Sequence, residues 1–295
     1  MAREWLVAAG PASLDVAAGL ASKLGTRLVK IENVDFPDGE SKVRILDEAR
    51  NKSVAIVQSL YPPQDKHFLQ LLLIAHKLSE DGADVNAVAP YLAYARQDKE
   101  FLPGEIVSLG VISHLLRSVG VRRLVTVDIH SAQGLGLFSI PVYSCSAMPL
   151  LAEYILQNHD LKKPIAVSPD FGSSSRVEAF AAVLNSEYVS FKKTRNRQTG
   201  EISTEEQNLN LVGRDAVIVD DMISTGGSIA KCAQLLKKYG ARRVIATCTH
   251  AILVGGAVDK MTAAGVDEIV ASNTIPSRYS KVDVTPLIAS YFQTL

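Results

Sequence analysis

The feature that most constrains this chain is a regular alternation of short β-branched runs with longer segments of helical period. Val54-Ala-Ile-Val and Ala216-Val-Ile-Val have the composition and length of buried strands. Strands that alternate with helices form βαβ units, which give a parallel sheet covered by helices. We therefore predict an α/β fold with mainly parallel sheets. Three further runs have the same character: Leu124-Val-Thr-Val, Ile165-Ala-Val-Ser and Val244-Ile-Ala-Thr.

The segments between these runs have the apolar spacing of helices. Apolar residues recur three and four positions apart over 68–79, 107–118 and 229–239. A glycine follows each segment, as expected where a helix ends in a left-handed cap. These glycines are Gly82, Gly120 and Gly240.

The pattern occurs twice along the chain. Residues 54–89 and 216–247 share the order strand, loop, helix, glycine, strand. A competing match pairs 120–130 with 240–250, but it covers only a helix end and one strand. The longer match predicts two similar domains, 1–145 and 146–295, with no Pro-, Gly- or Ser-rich linker between them.

Charge and composition exclude several classes of protein. Lys plus Arg total 31 and Asp plus Glu total 31, so the chain lacks the net positive charge of a broad nucleic-acid-binding surface. It has no apolar run of membrane-spanning length and no signal-peptide pattern at its start. Its three dispersed cysteines predict buried thiols rather than disulfides or a zinc site. We expect a cytoplasmic protein with no membrane or nucleic-acid partner.

The segment 217–229 carries the most specific chemical signal. It runs from a strand through Asp220 and Asp221 into a small-residue loop and then a helix. Such a loop lies at the carboxyl end of a parallel sheet, where its N–H groups can surround a phosphate. The acids need another partner, either sugar hydroxyls or a divalent cation. The alternative is an ordinary turn with Ser228 as the helix N-cap. The loop consists of Ser224, Thr225, Gly226, Gly227 and Ser228.

This segment resembles the phosphoribosyl pyrophosphate loop shared by type I phosphoribosyltransferases and the ribose-phosphate pyrophosphokinase family. Four further stretches, in the order of that family, favour the pyrophosphokinase. The resemblance implies two phosphoribosyltransferase-like domains and a homo-oligomer, at least a dimer. The four stretches are Phe36-Pro-Asp38-Gly39-Glu40, Tyr94-Ala-Arg96-Gln97-Asp98-Lys99, Val127-Asp128-Ile-His130 and Ser168-Pro-Asp170-Phe-Gly172.

Two of these stretches correspond to the family's ATP-binding loops. By themselves, 36–40 also reads as a hairpin turn and 96–99 as a solvated polar loop. The resemblance assigns both to ATP. The residues that it implies are Phe36, Asp38, Glu40, Arg96, Gln97 and Asp98, with His130 beside them.

The other two stretches imply a metal site. Asp128 and His130 are two apart on a predicted strand, so we expect them to face the same side. Mg²⁺ prefers oxygen ligands, so ATP phosphate is a competing partner for His130. The resemblance implies two Mg²⁺ ions, one of them bound with ATP, and it implies Asp128, His130 and Asp170 as the metal-binding residues.

A basic stretch at 191–201 has neither helical nor strand period, so it is predicted to be a surface loop. In the family a loop at this place closes over the reaction and supplies a Lys and, two residues later, an Arg. Lys193 and Arg195 have that spacing and are the implied catalytic residues. The alternative is a solvated charged face.

The implied reaction transfers the diphosphoryl group of ATP to the C1 hydroxyl of ribose 5-phosphate, giving 5-phosphoribosyl 1-diphosphate and AMP for nucleotide biosynthesis. A phosphoribosyltransferase would share 220–228 but would not need 36–40 or 96–99. A non-catalytic regulatory subunit should have lost some of the acidic and basic residues that are present here. A general sugar-phosphate-binding protein is the remaining alternative. The chain departs from the family pattern at Lys99, Ser173, Ser174, Ser224 and Ser228.

Overall fold

The computed structural model describes residues 5–170, 174–191, 193–195, 202–204 and 209–295. The chain forms two compact units. The first extends to Ser146 and also includes Val284–Leu295, and the second is Ala147–Asp283. The prediction that 146–295 is one domain is therefore wrong for its end. The last helix, Thr285–Gln293, returns to the first unit because Phe292 packs edge-on against Trp5, with ring centroids 4.8 Å apart.

The first unit contains eight strands within its described part. They are β1 (Trp5–Ala9), β2 (Leu28–Val29), β3 (Ile31–Asp35), β4 (Ser41–Ile45), β5 (Ser53–Val57), β6 (Asp84–Ala89), β7 (Val121–Val127) and β8 (Val142–Cys145). Six of them form a parallel sheet in the order β2-β1-β5-β6-β7-β8, while β3 and β4 form a separate antiparallel hairpin. The helices are α1 (Leu14–Lys23), α2 (Gln64–Glu80), α3 (Ser108–Ser118), a 3₁₀ helix at Gln133–Leu137, and α8 (Thr285–Gln293).

The second unit repeats this plan. Its strands are β9 (Ile165–Ser168), β10 (Glu187–Ser190), β11 (Lys193–Arg195), β12 (Ile202–Thr204), β13 (Asp215–Ile223), β14 (Arg243–Ala251), β15 (Glu268–Ser272) and β16 (Ser280–Val282). The parallel sheet has the order β10-β9-β13-β14-β15-β16, and β11 pairs with β12 in a two-stranded antiparallel sheet. The helices are α4 (Met148–Asn158), α5 (Ser174–Leu184), α6 (Gly227–Lys238) and α7 (Ala257–Ala263).

Strand positions decide between the two sequence matches. In each sheet the third strand, β5 or β13, leads through a helix to the fourth, β6 or β14. The longer match is therefore correct, since it pairs elements with the same place in the two sheets. The competing match is wrong because it pairs β7, the fifth strand, with β14, the fourth.

Burial explains why the strands are so uniformly apolar. Every residue of β1, β5 and β13 is buried, because helices cover both faces of a parallel sheet. The three predicted helices form at α2, α3 and α6, and their glycines adopt φ values of 87°, 90° and 91°. All three cysteines are buried free thiols, as predicted. None of the described helices is both long enough and apolar enough to cross a bilayer.

Candidate functional site

The acidic pair lies inside β13, not after it as the sequence predicts. Pairing with β14 continues past the acids, through Met222 opposite His250 and Ile223 opposite Ala251. Asp220 and Asp221 therefore sit in a hydrogen-bonded strand, with only 9% and 2% of their surfaces exposed. The longer strand fixes the backbone of both carboxylates near the carboxyl edge of the sheet.

Burial and mutual repulsion dominate the electrostatics of this pair. Burial, together with the charges of Asp221 and Asp170, raises the pKa of Asp220 well above its usual value. Asp220 Oδ1 accepts a hydrogen bond from the Asp221 N–H at 2.9 Å. The structure thus brings three of the predicted acids close enough to interact, which makes this end of the sheet a place for a cationic or hydrogen-bond-donating partner.

Sequence reasoning missed Arg176, which contacts the pair. Its Nη1 lies 3.6 Å from Asp221 Oδ1, and its side chain is 18% exposed. Arg176 is on α5, the helix that follows β9 and Asp170. The sequence feature that could have identified Arg176 is its position as the first basic residue after the Ser168-Pro-Asp170 segment.

The small-residue loop joins β13 to α6. Gly226 has a φ of 71°, in the left-handed region, and is the residue before the helix. The helix begins at Gly227, so Ser228 is a residue of its first turn, and the alternative of a Ser228 N-cap is wrong. The loop brings its backbone N–H groups to the positive end of α6, where an anion is stabilised.

The first unit contains Asp128 and His130. Strand β7 ends at Val127, and Asp128 has a φ of 38°, so the expectation that both residues share one face of a strand is wrong. Asp128 is buried, and its N–H donates to the Cys145 carbonyl at 2.8 Å, whereas His130 is exposed. The left-handed turn breaks the two-residue alternation on which the prediction depended.

Arg96, Gln97 and Asp98 lie in the irregular segment between β6 and α3. Arg96 is exposed, whereas Gln97 donates from Nε2 to Glu105 at 3.3 Å. A Cβ added to Gly134 would lie 3.4 Å from Asp98 Cβ, so this loop packs beside the 3₁₀ helix that follows His130. The loop that contains Arg96, Gln97 and Asp98 therefore lies next to the segment that follows His130.

The turn at 36–40 is the predicted hairpin. The Phe36 N–H donates to the Glu40 carbonyl at 2.8 Å, and Asp38 Oδ1 accepts the Glu40 N–H at 3.1 Å. Phe36 remains 43% exposed, so its ring is available to a ligand. The hairpin is held to α2, where Lys66 Nζ lies 2.7 Å from Asp35 Oδ2.

Lys193 and Arg195 lie on β11, whose backbone pairs with β12. The prediction of an irregular loop is wrong for this short stretch. The side chains of Lys193 and Arg195 are outside the part of the chain that the structure describes, as are Phe171, Gly172 and Ser173.

The predicted metal-binding residues come from both units. Asp128 and His130 belong to the first, whereas Asp170 belongs to the second. Within the described residues, no cluster of three or more His, Cys, Asp or Glu side chains has the arrangement of a metal site.

Comparison with known proteins gives one consistent family. A family profile described as the N-terminal domain of ribose phosphate pyrophosphokinase matches residues 5–120, and one described as a phosphoribosyl synthetase-associated domain matches residues 202–289. The ribose-phosphate pyrophosphokinase of Sulfurisphaera tokodaii is 38% identical over 289 residues, covering 96% of this chain and 99% of that protein. The enzyme of the same name from Methanosarcina acetivorans is 39% identical, with 97% and 98% covered.

A solved structure agrees with these relatives. The phosphoribosylpyrophosphate synthetase from Mycobacterium smegmatis superposes with a TM-score of 0.87 at 29% identity, covering 99% of this chain and 98% of that one. Sequence relatives and the structural match thus agree over nearly the whole chain. The chain belongs to the ribose-phosphate pyrophosphokinase family.

Proposed function

We propose that this protein transfers the diphosphoryl group of ATP to the C1 hydroxyl of ribose 5-phosphate. The C1 oxygen attacks the β-phosphorus, the bond from that phosphorus to the α,β-bridging oxygen breaks, and AMP leaves as the C1 hydroxyl loses its proton. The observation that carries the proposal is the buried pair Asp220–Asp221 beside the Gly226-Gly227 loop at the end of β13.

The second unit supplies the ribose 5-phosphate site in this proposal. Backbone N–H groups of Thr225 to Ser228 bind the 5-phosphate at the start of α6, with Ser224 at the edge of the loop. Asp220 and Asp221 accept hydrogen bonds from the ribose hydroxyls. Because they lie in a paired strand, their positions are set before the sugar binds, which lowers the entropic cost of orienting C1.

The donor chemistry of the same edge fits a divalent cation. Asp170, Asp220 and Asp221 are oxygen donors whose mutual repulsion favours a positive partner, and Mg²⁺ takes such ligands while keeping several waters. We assign Asp170 to one Mg²⁺, and Asp128 with His130 to the Mg²⁺ that accompanies ATP. These ions would neutralise phosphate charge and polarise the attacking hydroxyl.

The first unit supplies ATP contacts. The exposed ring of Phe36 offers a face to the purine, and Asp38 and Glu40 offer acceptors. Arg96 is exposed and binds phosphate oxygens through its planar guanidinium. Gln97 and Asp98 complete this loop, and Asp98 lies beside the 3₁₀ helix that follows His130.

Lys193 and Arg195 neutralise the transferring phosphates. In phosphoryl transfer, cationic contacts of this kind are worth about 10³–10⁵ in rate. We further propose that the protein works in the cytoplasm as a homo-oligomer of at least two subunits.

The test is ³¹P NMR of the purified protein with ATP, ribose 5-phosphate and Mg²⁺, beside a Lys193→Ala variant. The proposal expects new diphosphate resonances on ribose C1 with one AMP per product, and loss of both in the variant. ADP as the nucleotide product would refute attack at the β-phosphorus. Full activity of the variant would refute the role of Lys193 while leaving the reaction intact.

A further inference from the structure

The loop that we assign to the 5-phosphate rests on a second segment of the same unit, residues 253–261. The Leu253 N–H donates to the Ile223 carbonyl at 3.0 Å, and the Val254 N–H donates to the Ser224 carbonyl at 3.1 Å. A Cβ on Gly226 would lie only 2.9 Å from the Ala257 carbonyl oxygen. The start of α7 is therefore the wall against which the loop is packed.

Lys260 makes the polar contact between this wall and the loop. Its Nζ donates to the Thr225 carbonyl oxygen at 3.0 Å, across 35 residues of sequence. The same helix brings Met261 beside Gly226, where an added Cβ would meet Met261 Cγ at 3.0 Å. Residues from one turn of α7 thus contact both Thr225 and Gly226, the two residues that this peptide joins.

The planar geometry of the Thr225–Gly226 peptide means that the Lys260 contact also sets the direction of the Gly226 N–H. In a planar trans peptide the C=O and the following N–H point in opposite directions. When Lys260 holds the Thr225 C=O toward α7, the Gly226 N–H must point away from α7. Rotation of this peptide would instead turn a carbonyl oxygen toward the place where we assign the phosphate, and two negative groups would then face each other.

We infer that Lys260 is a positioning residue for ribose 5-phosphate, acting through the Thr225–Gly226 peptide. This inference rests on the proposed function of the loop and adds the residue that orients its N–H donor. The ammonium also places a positive charge beside Thr225, the first residue whose N–H we assign to the phosphate. Lys260 does not contact the reacting atoms, so the effect belongs to substrate binding.

The experiment compares Lys260→Met, which keeps the length of the side chain and removes the donor, with Lys260→Arg, which restores one. Lys231→Met on α6 is the matched control, since it removes an exposed lysine of the same charge from the same unit. Steady-state AMP formation gives KM for each substrate, and calorimetric titration with ribose 5-phosphate alone gives its Kd. Thermal unfolding of each variant reports the fold.

We expect Lys260→Met to raise the KM and Kd for ribose 5-phosphate about 3- to 10-fold, the range for loss of one hydrogen bond at an exposed site. The KM for ATP and the unfolding temperature should stay unchanged, and Lys260→Arg should recover most of the affinity. An unchanged Kd for ribose 5-phosphate in Lys260→Met, or an equal rise in the KM for ribose 5-phosphate and the KM for ATP, would overturn the inference. Turnover by the wild-type protein would still support the proposed reaction in that case. Wild-type protein that neither binds ribose 5-phosphate nor forms AMP would refute both.

Discussion

The third strands of the two sheets end in opposite chemistry. In the second unit β13 carries Asp220 and Asp221, two acids whose repulsion and burial raise the pKa of Asp220. In the first unit the corresponding residues after β5 are Gln58 and Ser59, both buried and neutral. The same strand position thus carries two acids in one unit and an amide and a hydroxyl in the other.

Gln58 is saturated by the protein itself. Its Oε1 accepts the Ala12 N–H at 3.0 Å, and its Nε2 donates to the His67 carbonyl at 3.1 Å. A Cβ on Gly10 would lie 2.2 Å from Gln58 Oε1, so the loop after β1 closes directly over this amide. In the first unit the side chain of Gln58 therefore occupies the space at the end of β5.

The loops that follow differ in the same sense. Between β5 and α2 the chain has Pro62 and Pro63, which carry no N–H, whereas the loop before α6 ends at Gly226 and the helix begins with Gly227. A phosphate therefore finds fewer donors in the first unit. The two units thus share one scaffold, and a few residues at the end of the third strand leave it acidic in one unit and filled by a neutral side chain in the other.

The largest effect should come from neutralising the charged strand end. Asp221→Asn keeps the size of the side chain but removes the charge that faces Arg176, and we expect kcat/KM for ribose 5-phosphate to fall about 10²–10³-fold, as when one preorganised electrostatic group is lost. AMP formation measures it. Ser59→Ala, the matched change in the first unit, should leave kcat/KM within about threefold. Equal losses in the two variants would show that the two strand ends contribute equally to activity.

The amino ends of the same strands differ as well. The first residue of β13, Asp215, is fully buried and accepts hydrogen bonds from Arg242 Nη2 at 2.5 Å and the Lys162 N–H at 2.9 Å. The first residue of β5 is Ser53, paired in register with Asp84. Asp215→Ser should destabilise the protein by about 1–3 kcal/mol in urea unfolding, because it removes the buried carboxylate that accepts from Arg242 and from the Lys162 N–H. Ser53→Ala should cost about 1 kcal/mol or less.

Asp215 also gives this difference a pH dependence. Burial would raise the pKa of Asp215, but hydrogen bonds from Arg242 and Lys162, with the charge of Arg243, hold it below its usual value. Its contribution is therefore fully present above the unfolded pKa of about 4 and is lost as pH falls through the folded value. The stability gap between wild type and Asp215→Ser should narrow below about pH 4. A gap that widened there would contradict this assignment.

The smallest effect should come from the neutral strand end. Gln58→Leu leaves the Ala12 N–H buried without its acceptor, which should cost about 1–3 kcal/mol in the same unfolding measurement. The kcat of the folded enzyme should remain unchanged, since the first unit uses Gln58 only for support. Gln293→Leu, an exposed change on α8, is the control. A large loss of kcat in Gln58→Leu would instead show that this residue acts in the reaction as well as in support of the fold.

Local periodicity was sufficient to predict six of the twelve described parallel strands (β5, β6, β7, β9, β13 and β14) and three of the eight described α-helices (α2, α3 and α6). Strands such as β5 and β9 are buried on both faces, so their apolar runs are unmistakable, and the glycines after α2, α3 and α6 adopt the left-handed conformation that a helix end favours. Sequence patterns also located the loop at 224–228 and its two acids.

Features that depend on contacts between residues distant in sequence could not be predicted from the sequence. The extent of β13 past Asp221 is set by pairing with β14, and the return of α8 to the first unit is set by packing on Trp5. Arg176 contacts Asp221, which is 45 residues away in the sequence, and Lys260 contacts Thr225, which is 35 residues away. Neither contact leaves a local pattern.

The α/β class, the duplication, the small-residue loop at 224–228 and the family resemblance could be predicted from the sequence, because each follows from residue types at short, regular spacing. Tertiary structure alone decided that Asp170, Asp220 and Asp221 interact, that Gln58 closes the first unit's strand end, and that α7 backs the loop. The physical reason is range. Periodicity and turn chemistry depend on residues a few positions apart. Burial, repulsion between carboxylates and the orientation of a peptide N–H depend on residues that are distant in sequence and become neighbours only in the folded chain.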